Sequence, residues 1–333
     1  MPNRKSQIIA RRTLLLAVMV LGIGLLPGGA RALDHSQPVN IGVLTIAWGT
    51  VPAVETLSKG LAELGCREKV DFAIGIRFTQ GRSQDLYQGA LDLVQAGSDI
   101  IFATGGVPAL AAQRATTRIP IVFTVESDPV AMGLVRRFSR PGGNVTGITD
   151  RTIELSGKRL QLFQSMVPRL RKVLFLYEAG NATYQAQARA YSDAARRLGL
   201  ELIERIARTE EEVRQALRGL KKQEIDGIVS PWNIELNIPG YILEASTQQK
   251  IPAIFSFLNF VEIGGLASYG PSLRTAGRLA ARMMEKIFRG TSPGGIPVEV
   301  NTDIEFAVNL KTAKALGLTI APELLYQATH IVR

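Results

Sequence analysis

The stretch Asp99 to Thr124, DIIFATGGVPALAAQRATTRIPIVFT, decides the fold. It opens on an apolar run over 99–104, breaks at Gly105-Gly106, continues through helix formers over 107–116, and returns to an apolar run at 119–124, with Pro120 near its start. Two strands joined through a helix run parallel, because the crossover carries the chain back to the same end of the sheet. The same alternation extends in both directions. Strand 39–45, helix 52–64, strand 70–78 and helix 83–96 precede it. A second series follows residue 150: helix 153–166, strand 172–177, helix 182–198, strand 200–206, helix 210–221, strand 225–230, helix 239–248 and strand 252–255. The fold class is therefore α/β, with two Rossmann-like lobes built on parallel central sheets. Ser139 to Gly147, SRPGGNVTG, is a Pro/Gly turn between the two series. Beyond them come Ala267 to Gly270, a helix over 272–289, extended Pro297 to Val300, a strand over 304–309 and short helices to the end.

A chain of 333 residues, 46% hydrophobic and 20% charged, buries a core and has room for about two domains. Lys and Arg number 39 against 29 Asp and Glu, a net charge of +10. Five of the cations (Arg4, Lys5, Arg11, Arg12, Arg31) lie in the acid-free first 32 residues, so the remainder carries 34 against 29. A surplus that thin does not suggest nucleic-acid binding. The first segment reads as an export signal: a cationic start, the apolar run Leu14 to Leu26, and Ala30-Arg31-Ala32 for cleavage after Ala32. The apolar run is shorter than a bilayer span, so no membrane insertion is expected once the segment is cleaved, and the expected location is the periplasm. Arg11-Arg12 leaves the general and the twin-arginine export routes both open. Cys66 is the only cysteine, which excludes an intramolecular disulfide.

In open α/β sheets, ligands gather beyond the carboxyl ends of the strands, where helix N-termini present free N–H groups. Thr104-Gly105-Gly106-Val107-Pro108 occupies such a place, and reads either as a seat for a carboxylate or other small anion or as a reversing turn. The two tryptophans, Trp48 and Trp232, each follow a strand, one in each series. They either sandwich an apolar solute between the sheets or pack against their own domains. Tyr177, Tyr184 and Tyr269 are candidate hydroxyl donors. The candidate ligand-binding residues are Trp48, Gly49, Thr104, Gly105, Gly106, Pro108, Val125, Ser127, Asp128, Tyr184, Trp232, Asn233 and Tyr269.

Catalysis finds little support in these residues. His35 and His330 lie near the cleavage site and the C-terminus, which leaves no histidine in either series for a Ser/His/Asp arrangement. Glu126 and Asp128 precede Pro129 and read as turn and capping residues. No metal-binding spacing and no dinucleotide or P-loop motif occurs, so no enzyme activity, metal or cofactor is expected.

Several motifs resemble the ABC-transporter substrate-binding proteins of the group that includes tryptophan-binding members. They are Asp128-Pro129-Val130, Gly133-Leu134-Val135, RPGGNVTG over 140–147, Glu154-Leu155, Lys158-Arg159-Leu160, GGLASYG over 264–270 and NLKTAKALGLTI over 309–320. The resemblance spans nearly all of the chain after residue 32. It implies a type I periplasmic-binding-protein fold, two lobes joined by three crossing strands near 147–149, 269–271 and 300–303. The lobes would be 33–148 with 271–300, and 149–270 with 301–333. It places Thr104, Gly105, Gly106 and Pro108 near the anionic end of a solute. Members often carry an Asp-Asn pair where this chain has Trp232-Asn233, so the resemblance does not fix the solute. The implied function is capture of a small aromatic or carboxylate-bearing solute by a monomeric receptor that delivers it to an ABC permease. A periplasmic sensor serving a membrane signalling protein is the alternative.

Overall fold

The computed structural model describes residues 37–49, 51–180, 182–220, 224–232 and 236–333. The expected export segment and Asn233 lie outside them. The first sheet holds β1 (Val39–Thr45), β2 (Phe72–Phe78), β3 (Ile100–Thr104), β4 (Ile121–Glu126), β5 (Val145–Thr149) and β11 (Glu299–Val300), in the order β11-β5-β4-β3-β1-β2. All its pairings are parallel. The second holds β6 (Lys172–Glu178), β7 (Glu201–Ala207), β8 (Gly227–Val229), β9 (Ala253–Phe255), β10 (Ala267–Pro271), β12 (Ile304–Asn309) and β13 (His330–Val332), in the order β13-β12-β10-β9-β8-β6-β7. Only β10 with β12 runs antiparallel. The closing strand β13, parallel to β12, lies where the sequence suggested only short helices.

The central strands are apolar on both faces because helices cover both. In β3, Ile100, Ile101, Phe102 and Ala103 are fully buried. Around the first sheet lie α1 (Pro52–Glu63), α2 (Leu86–Gln95) and α3 (Gly106–Ala115); the second carries α4 (Ser156–Met166), α5 (Ala182–Leu198), α6 (Glu210–Arg218), α7 (Ile238–Gln249) and the short α8 (Asn259–Glu262). Helix α9 (Leu273–Phe288) follows β10 of the second sheet yet packs on α1 of the first. The two helices meet so closely that a β-carbon on Gly277 would fall 2.2 Å from the Ala53 carbonyl oxygen. The Ser272 hydroxyl caps α9 by accepting from the Thr275 N–H at 3.2 Å. Two short helices, α10 (Leu310–Ala315) and α11 (Pro322–Gln327), complete the chain.

The backbone thus passes between the sheets three times, after β5, after β10 and after β11. The crossings are tied to one another: the Asn301 N–H donates to the Thr149 carbonyl at 2.9 Å, and the Asn301 side-chain amide donates to the Ser272 carbonyl at 2.9 Å. Three connections between two wound sheets leave a cleft whose walls are the carboxyl ends of both sets of strands.

Candidate functional site

A cavity with about 650 Å³ of empty space, part of it open to solvent, lies in that cleft. One wall consists of Ile46 after β1, Thr104 to Pro108 after β3, Val125 to Ser127 at the end of β4, Met132, and Asp150, Thr152 and Ile153 after β5. Thr183, Tyr184 and Gln187 on α5, with Trp232 after β8, make the other.

The glycine turn at the start of α3 is built for close approach. Gly105 has φ of 129°, a conformation that side chains disfavour, and precedes the first helical turn. The N–H groups of that turn have no intrahelical acceptors, and they carry the positive end of the helix dipole. Behind them the Thr104 hydroxyl donates to Thr45 Oγ1 at 2.6 Å and fixes the end of β3 to β1.

Strand β4 reaches the cavity through an irregularity. Its register with β5 shifts between Phe123 and Glu126, and Val125 has φ of 58°. A β-branched residue in the left-handed region costs about 1–3 kcal/mol, and such strain collects at functional sites. The bulge places the Glu126 side chain in the wall with 6% exposure. Glu126 Oε1 accepts from the Asp128 N–H at 2.9 Å. Burial pushes its pKa up to about 7, and the nearby charges of Asp150 and Asp128 act in the same direction.

Asp150, equally buried, accepts from the Ser127 hydroxyl at 2.7 Å and from the Thr152 N–H at 3.1 Å, both at Oδ1. Burial raises its pKa as well; those bonds and the positive charge of Arg159 oppose the rise. Arg159 is fully buried, donates through Nε to the Tyr269 carbonyl at 2.7 Å, and meets the Tyr191 hydroxyl through Nη1. An interior cation thus ties α4 to the crossing strand β10.

The opposite wall is aromatic. The Tyr184 hydroxyl donates to the Trp232 carbonyl at 2.8 Å, joining the first turn of α5 to the loop after β8. The Trp232 ring sits edge-on to Phe257, with centroids 4.4 Å apart. Gln187, one turn beyond Tyr184, is 3% exposed, and its Nε2 has no hydrogen-bond partner among the described residues.

Of the residues expected from the sequence, Thr104, Gly105, Gly106, Pro108, Val125, Ser127, Tyr184 and Trp232 come together around this cavity. Four others do not line it. Trp48 is 52% exposed, because the wall after β1 ends at Ile46 and the chain turns outward through Trp48 and the exposed Gly49. Asp128 is exposed and uses Oδ1 to accept from the Ala131 N–H at 2.9 Å, the turn role read for it. The Tyr269 ring packs on Phe306 in the second sheet. Glu126, read as a turn and capping residue, lines the cavity from the end of β4, and Ile46 joins it from just after β1, both in strand-end stretches where ligands were expected to gather; Asp150, Gln187 and Met132 join it without having been anticipated. The i, i+3 spacing of Tyr184 and Gln187 was the available signal for Gln187, since it puts both on one helix face.

Among the described residues no group of His, Cys, Asp and Glu could hold a metal ion, and no helix is long and apolar enough to cross a membrane.

Known proteins share this architecture. The family described as "ABC transporter substrate binding protein" matches residues 39–332. A tyrosine-binding protein of Clostridioides difficile (strain R20291) is 29% identical over 321 residues, 91% of each chain. A conserved domain protein of Vibrio cholerae superposes with a TM-score of 0.78 at 26% identity, over 89% of this chain and 100% of that one. A Streptococcus pneumoniae ABC domain solved with L-Trp gives 0.75 at 24% identity, over 88% and 100%.

Proposed function

Because the chain belongs to the ABC transporter substrate-binding protein family, we propose that it is an exported solute receptor that captures an aromatic L-amino acid in the interlobe cleft and delivers it to a membrane permease. The observation that carries this reading is the composition of the cavity: an anion-favouring helix N-terminus and two acids on one wall, and Trp232 with Tyr184 on the other. A zwitterion with a planar side chain matches all three features. Its carboxylate meets the N–H groups at the start of α3, and its ring lies against Trp232. The tyrosine-binding relative supports the same class of solute.

In this reading residues 1–32 direct export and are removed after Ala32, and the mature receptor works as a monomer in the periplasm. The lobes are 33–148 with 271–300 and 149–270 with 301–333. The three crossings act as the hinge, and a solute that touches both walls favours the closed arrangement by its differential affinity for the two states. The solute leaves chemically unaltered.

Calorimetry against the protein amino acids and small carboxylates, with small-angle scattering of the same samples, tests the proposal. Saturable binding of L-tyrosine or L-tryptophan with compaction is expected; no binding across the whole set overturns it. Recovery of a permease with the protein from membranes supports import, whereas recovery of a signalling kinase supports sensing instead.

A further inference from the structure

Among the described residues the cavity contains two ionisable acids and no Lys, Arg or His. The two acids are not equivalent. Asp150 is committed to the Ser127 hydroxyl and the Thr152 N–H, and Arg159 offsets its charge. Glu126 Oε1 takes the Asp128 N–H, while Oε2 lies at the lip of α3, where a β-carbon on Gly106 would come within 2.1 Å of it. The charged groups acting on Glu126 are Asp128 on its own loop and Asp150 beyond the neighbouring strand, both negative. The first turn of α3 faces it with uncharged Gly106 and Val107, and across the cavity the titratable group is Tyr184, whose hydroxyl is bonded to the Trp232 carbonyl. An independent observation points to a ligand in the same space. Gln187 Nε2, buried in the facing wall, has no acceptor among the described residues and needs one from the solute.

Resting on the amino-acid reading above, we propose that Glu126 receives the solute's ammonium group and that, in mildly acidic medium, the incoming cation displaces the carboxyl proton to solvent. The neutral acid and the ammonium ion enter; a carboxylate–ammonium pair and one free proton leave, so charge and atoms balance. The direction follows from the surroundings. Burial holds the empty carboxyl near neutrality, at about 7, and a cation in contact lowers it. Between those two values the apparent Kd rises about tenfold for each unit of falling pH, and above about 7.5 it is flat.

The test is calorimetry of the whole protein with L-tyrosine and L-tryptophan at about pH 6, in buffers of differing ionisation enthalpy. Release approaching one proton per solute is expected, together with a Kd that weakens from about pH 8 to pH 5. Glu126→Gln is expected to release no proton and to show a flat profile, and 3-(4-hydroxyphenyl)propanoate, which lacks the ammonium group, to release none from the wild type. Tight binding with no proton release at pH 6, or a pH slope that persists in Glu126→Gln, overturns the proposal while leaving the receptor reading standing. Failure of the wild type to bind any amino acid overturns both. Should the variant not fold, the wild-type buffer series decides alone.

Discussion

Gly106 and Glu126 stand side by side on one wall of the cavity: a β-carbon on Gly106 would meet Glu126 Oε2 at 2.1 Å and Met132 Sδ at 2.4 Å, far inside van der Waals contact. The start of α3 and the end of β4 can share one wall only because position 106 has no side chain. Gly106→Ala must push the buried carboxyl or the thioether aside, at a cost of about 1–3 kcal/mol. The expected outcome is a folded protein whose affinity for L-tyrosine or L-tryptophan falls at least about tenfold, read by calorimetry beside a thermal melt. Unchanged affinity would place the solute elsewhere.

Burial of Glu126 also affects stability. Its carboxyl titrates at about 7 when folded and near 4.5 when unfolded, so between those values the folded state holds a proton that the unfolded state has released. Stability therefore falls as pH rises through that window, by about 3 kcal/mol at most from this group. Glu126→Gln removes the penalty. Urea unfolding is expected to show the variant gaining on the wild type as pH rises from about 4.5 to about 7, with the difference level above that.

Trp232 lines the cavity and Trp48 does not. Intrinsic fluorescence separates them. Trp48→Phe is expected to keep the emission change on adding L-tyrosine, and Trp232→Phe to lose it. The reverse pattern would move the site toward the exposed loop after β1.

The Tyr184 hydroxyl holds the loop after β8 through the Trp232 carbonyl. Tyr184→Phe removes one hydrogen bond, worth about 1 kcal/mol. A matching loss of unfolding free energy is expected, with a Kd weakened about fivefold as the aromatic wall loosens.

The alternation of short apolar runs and helices was enough to read two wound sheets in the sequence, since a parallel strand buried on both faces carries an unbroken apolar run. Strand β1 (Val39–Thr45) and helix α5 (Ala182–Leu198) fall on the residues expected. The site was less legible, for three physical reasons. Val125 continues β4 past Thr124 through a left-handed residue, and no β-branched side chain signals that conformation in advance. Glu126 lies next to a familiar turn beginning, Asp128-Pro129, so local chemistry explained it without a cavity. Arg159 is held at the Tyr269 carbonyl of β10, 110 residues further along the chain, a relation set by tertiary structure. The last strand, β13, is three residues long and exists through pairing with β12, which local propensity does not encode.

Native mass spectrometry of the protein purified without added solute tests the central claim most directly. If the cleft grips an amino acid without bonding to it, the native ion carries one small adduct of aromatic amino-acid mass, and denaturation releases that compound intact. An adduct that survives denaturation, or a released compound that has been chemically altered, would contradict the account.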